Sequence, residues 1–124
     1  MTQIPQGTQL KYVNLTLNNV SLQNRFNAAI RMVATNILQN VNSTSQLRKI
    51  AIAVANNSVE MERLTKNSIS YALSSGLIIT SSSTLLNNQD GTFDDSTVTD
   101  ATILAIVEGL AANSALLTTL GYED

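Results

Sequence analysis

Between residues 22 and 41, Leu22, Phe26, Ala29, Ile30, Val33, Ile37 and Val41 recur at spacings of three and four, the period of one face of an α-helix. Ser21 stands just before the run and predicts a serine N-cap, with the helix ending near Gln39 or Val41. Asn24, Asn27, Arg31 and Asn36 fall away from that face, toward solvent or a partner. The polar cluster Asn42-Ser43-Thr44-Ser45 interrupts the pattern, which resumes over 46–55 with Leu47, Ile50, Ala51 and Val54 on one side. Alanines at 51, 53 and 55 keep this second helix thin enough for close neighbours. Asn57, three residues before Glu60, predicts an asparagine-capped third helix running through Met61, Leu64, Ser68 and Tyr71 or Ala72. Thr99-Asp100 opens a fourth, with Ile103, Ile106, Val107 and Leu110 inward. Leu116, Leu117 and Leu120 predict a short last helix ended by Gly121.

Two stretches depart from the helical period. Over 10–17, Val13, Leu15 and Leu17 alternate with Asn14 and Thr16, the pattern of a half-buried strand. With the polar residues 1–9 before it, this makes 1–20 an extended arm, whose strand pairs with the region 77–86 or with the edge of another subunit. Residues 74–98 combine the apolar Leu77-Ile78-Ile79, a hydroxyl run at 80–83 and Asp90-Gly91, a turn signal for a small hairpin. A loop of that length in a small domain points to an interaction arm. The expected fold is mainly all-α: one helical domain of four to five helices over 21–124, with an extended arm or strand ahead of it.

Composition narrows the chemistry. The 124 residues contain no Cys, His or Trp, which removes thiolate chemistry, disulfides, cysteine-based zinc sites and the commonest general base and metal ligand. The five glycines are isolated, so there is no phosphate-binding loop, and no serine stands in a nucleophile-elbow context. Asp90, Asp94 and Asp95 suggest a calcium loop, but placing Gly91 at the turn puts the first and twelfth positions on Leu86 and Thr97. The motif fails, and neither an enzyme, a cofactor nor a bound metal is expected. The opening residues carry neither a basic flank nor an apolar run, and no stretch is long and apolar enough to span a membrane. A soluble protein made in a cytoplasm, without membrane contact, is expected.

Charge changes the picture more than its total of -2 suggests. All seven basic residues lie in the first 66 positions against only Glu60 and Glu62, leaving that half at +5; the remainder carries seven acids and no base, or −7. Such a sequence dipole suits copies stacked head to tail, a basic surface meeting an acidic partner or DNA, or, equally, two halves that fold together and neutralise each other across one small surface. DNA is the less favoured occupant, because five scattered aromatics supply no stacking platform. The candidate partner-contact residues are Tyr12, Val13, Leu15 and Leu17 in the arm, Arg25, Arg31, Arg48 and Lys49 in the basic half, and Leu77, Ile78, Ile79, Asp90, Asp94 and Asp95 in the loop.

One longer pattern joins these elements. A helix with Arg25-Phe26 and Ala28-Ala29-Ile30 is followed, after a break, by Gln46-Leu47-Arg48-Lys49-Ile50-Ala51-Ile52-Ala53-Val54-Ala55-Asn56-Asn57. Met61-Glu62-Arg63 comes next, and Val98-Thr99-Asp100-Ala101-Thr102-Ile103 starts the last long helix. Over about 22–110 this resembles small all-helical proteins encoded among the virion genes of tailed bacteriophages, with Asn57-Ser58 where those proteins carry an acidic, often proline-containing corner. The resemblance implies a virion structural role and no catalytic residues. The leading expectation is a head-to-tail connector or tail-junction component, located in the virion, that forms an oligomeric ring against portal, capsid or tail subunits. A capsid decoration or cement protein is the alternative, and a soluble nucleic-acid-binding or regulatory adaptor is the second.

Overall fold

The computed structural model describes residues 16–78 and 95–122. Among the described residues the chain is all-α, with five helices and no strand. They are α1 (Val20–Gln39), α2 (Ser45–Asn56), α3 (Ser58–Ser74), α4 (Asp100–Ala111) and α5 (Ser114–Thr119), with a short 3-10 turn at Asp95–Thr97. α1 is the central element and packs on α2, α3 and α4; α3 also packs on α2 and α4, and α5 closes against α4.

The apolar spacings become one core. Leu22, Phe26, Ala29, Ile30 and Val33 of α1 meet Ala51 and Val54 of α2, Met61, Leu64, Ile69 and Ala72 of α3, and Ile103, Ile106, Val107 and Leu110 of α4. Leu117 of α5 and Tyr122 complete it. Val41 is not part of it: α1 stops at Gln39, and Val41 stands exposed in the following turn.

The start of α1 differs from the expected one. Asn19 is the N-cap, its side-chain oxygen accepting from the Leu22 backbone N–H at 2.8 Å, and Ser21 lies inside the first turn. Asn and Ser cap about equally well, so the tertiary contact decides: the Ser21 hydroxyl donates to the Asp95 carboxylate at 2.7 Å across the fold. Thr16 and Leu17 form a helical turn, where alternation predicted the end of a strand, and Leu17 leans on the core. The rest of the predicted arm, 1–15, lies outside the described residues.

Polar caps delimit the other helices. Thr44, Asn57, Thr99 and Asn113 each accept backbone N–H groups of the turn that follows. α1 ends without glycine; the Ser43 hydroxyl donates to the Ile37 carbonyl at 2.7 Å, and the Arg48 guanidinium donates to the Asn40 carbonyl at 2.6 Å. α3 and α5 instead end in left-handed glycines, Gly76 at φ 74° and Gly121 at φ 99°. In each the residue after the glycine donates its N–H back into the last turn, Leu77 to the Ala72 carbonyl and Tyr122 to the Leu117 carbonyl.

Candidate functional site

α1 and the α2–α3 corner diverge around an open polar groove of about 680 Å³, within the size range of ligand sites. Gln23, Asn27 and Arg31, four residues apart, line its α1 wall. Asn56, Asn57 and Ser58 form the corner, Glu62 and Thr65 the α3 wall, with Val54 and Met61 between them. Four carboxamides therefore share one groove, and each is tied by one end to its own chain. Gln23 donates through Nε2 to the Leu17 carbonyl at 2.7 Å, and Asn56 through Nδ2 to the Ile52 carbonyl at 2.9 Å. Asn57 accepts through Oδ1 from the Val59 N–H at 2.9 Å as the cap of α3, and Asn27 accepts through Oδ1 from the buried Thr65 hydroxyl. Glu62 pairs with Lys66 at 3.3 Å. Arg31, exposed on the α1 wall, makes no side-chain hydrogen bond or ion pair among the described residues.

Among the described residues the groove's lining holds one carboxylate, Glu62, and one guanidinium, Arg31. A partly open, apolar-lined pocket of about 30 Å³ where all five helices meet has room for roughly one water. Among the described residues no three acidic side chains cluster as metal ligands, and no helix is long and apolar enough to cross a membrane.

Arg25, a candidate contact from the sequence, works inside the chain. Its guanidinium, 27% exposed, contacts the Asp95 carboxylate at 3.3 Å and the Asp100 carboxylate at 2.8 Å. It also donates to the backbone carbonyls of Asp95, at 2.9 Å, and Val98. One side chain on α1 thus ties down the 3-10 turn and the start of α4. Seventy residues separate Arg25 from Asp95, so only the tertiary fold reveals the pairing.

The remaining candidates are dispersed. Arg48 caps the end of α1, Lys49 is exposed on α2, and Leu17 is half-buried. Leu77 is exposed, but Ile78 is 3% exposed and belongs to the core, because the glycine turn after α3 folds the chain back there. Tyr12, Val13, Leu15, Ile79, Asp90 and Asp94, and with them most of the predicted hairpin, lie outside the described residues.

Three polar features were not singled out from the sequence. Gln46 is buried, donating through Nε2 to Thr118 Oγ1 at 3.1 Å and to the Tyr122 carbonyl. Thr65 is buried against Asn27. Tyr122 lies under the Arg63 guanidinium, 4.6 Å from its ring centre, and accepts from Asn67 at 3.2 Å. Only the groove left a signal, the row of polar residues at 23, 27 and 31 on one helix face.

A second groove runs between α1 and α4 and is mainly apolar, with Ala28 and Met32 facing Ala101 and Leu104. Met32 is 54% exposed there, although Ala29, three residues before it, and Val33, next to it, are core. No family, no curated protein and no solved structure matches this chain.

Proposed function

We propose that the protein is a structural, non-catalytic component of a tailed-bacteriophage particle, assembling as a ring at the head-to-tail connection or tail junction. The observation that carries this reading is the apolar groove along α1 and α4, where Met32 stands 54% exposed among Ala28, Ala101 and Leu104. An apolar strip on a small domain, rimmed by polar residues, is the signature of a packing surface, and alanines on both helices let a neighbouring backbone approach closely.

The disposition of charge supports a protein partner over DNA. Arg25, Arg48, Arg63 and Lys66 each bond carbonyls or carboxylates of their own chain, which leaves Arg31 and Lys49 as the dispersed exposed cations without such a bond among the described residues. DNA binding needs a denser basic surface.

Native mass spectrometry of the purified protein, together with reconstruction of the virion that contains it, tests the proposal. A closed ring of some tens of copies per particle or fewer at the neck is the expected result. Hundreds of copies on the capsid would move the protein to the decoration class, and a strict monomer absent from purified particles would overturn the virion reading.

A further inference from the structure

The geometry points to the polar groove between α1 and the α2–α3 corner as a binding site for an extended acidic peptide segment of a partner protein. A peptide main chain presents N–H donors and C=O acceptors in alternation, and a surface that recognises it must offer both. The four carboxamides of the groove do so. Asn27 and Asn57 have their oxygens engaged within the chain, which leaves their NH2 groups as donors. Gln23 and Asn56 have their NH2 groups engaged, which leaves their oxygens as acceptors. Because each amide is already tied by one end, little side-chain freedom remains to be lost on binding.

The acidic character of the ligand follows from charge. Glu62 is matched by Lys66, so among the groove's described lining residues the one unmatched charge is Arg31, whose fork suits a carboxylate. A nucleic acid fits less well, since one guanidinium beside a glutamate cannot follow a phosphate chain. The inference rests on the groove alone and does not depend on the virion assignment.

The test uses the full-length protein and a fluorescein-labelled peptide of alternating aspartate and threonine. Its controls are the same peptide with asparagine for aspartate, and a single-stranded oligonucleotide. Saturable binding by the acidic peptide is expected, weakened at least roughly tenfold by the asparagine replacement and by Arg31→Gln, and unchanged by Lys49→Gln, which lies outside the groove. In the wild-type protein, the peptide should shift the side-chain NH2 resonances of Asn27 and Asn57 while leaving that of Asn113 in place. Absence of saturable binding, equal binding of the asparagine peptide, an unchanged Arg31→Gln, or shifts confined to other surfaces would each overturn the inference. Tighter binding of the oligonucleotide would replace the peptide with a nucleic acid. None of these outcomes bears on ring formation, so the two readings fail separately.

Discussion

Gly121 sits at φ 99°, a conformation that L side chains rarely adopt, and a Cβ built there would lie 2.7 Å from the Arg63 guanidinium. That guanidinium donates to the Leu120 carbonyl at 2.8 Å and covers the Tyr122 ring, so one residue carries both a backbone constraint and a side-chain clasp. Gly121→Ala should therefore destabilise the fold by about 1–3 kcal/mol, measured as a lower denaturant midpoint at unchanged slope. Tyr122 supplies a pH test. Burial pushes its hydroxyl above the ordinary tyrosine value of 10.0, outweighing the lowering by the Asn67 hydrogen bond and the Arg63 charge, while Glu60 adds to the rise. The folded state thus favours the neutral phenol. Its contribution to stability is complete below pH 10 and declines as pH rises from there through the folded-state value. In Tyr122→Phe the loss of stability above pH 10 should be shallower than in the wild type; parallel curves would contradict this assignment.

At the scale of the element, α1 shows how much of a helix is local. Its core face repeats every three or four residues and was readable because that period is a property of the backbone. Its first residue was not readable, since Asn19 and Ser21 are both good caps and the choice is made by Asp95, far along the chain. Asn19→Ala should cost about 1 kcal/mol and fray α1, while Ser21→Ala should leave helix content unchanged and loosen the 3-10 turn instead. Amide exchange separates the two: faster exchange at the start of α1 for the first, and near Val98 for the second. α3 makes the same point from its buried polar side. Ser68 appeared in the helical pattern, and its hydroxyl is satisfied locally by the Leu64 carbonyl at 2.8 Å; Thr65 lay one position off the pattern and needs Asn27 of α1.

At the scale of the whole molecule, the described residues place a polar groove on α1 toward α2 and α3 and an apolar one toward α4. If copies assemble through the apolar one, Met32→Glu should convert the ring to monomers in light scattering while far-ultraviolet circular dichroism stays unchanged, because Met32 is not in the core. Raised salt should leave assembly through Met32 largely intact, because that contact is apolar and the Arg25 ion pairs that join the two charged halves lie within one chain. The sequence by itself determined the all-helical class, the five apolar faces, the Asn57 and Thr99 caps and the Gly121 stop, because helical periodicity and capping are decided within a turn or two of chain. It also located the charges. Only the tertiary structure decided what those charges do: Arg25 is spent on Asp95 and Asp100, Arg48 on the end of α1, and Arg31 is left over beside four tethered amides. Such meetings depend on how helices distant in sequence cross, and no local period encodes that.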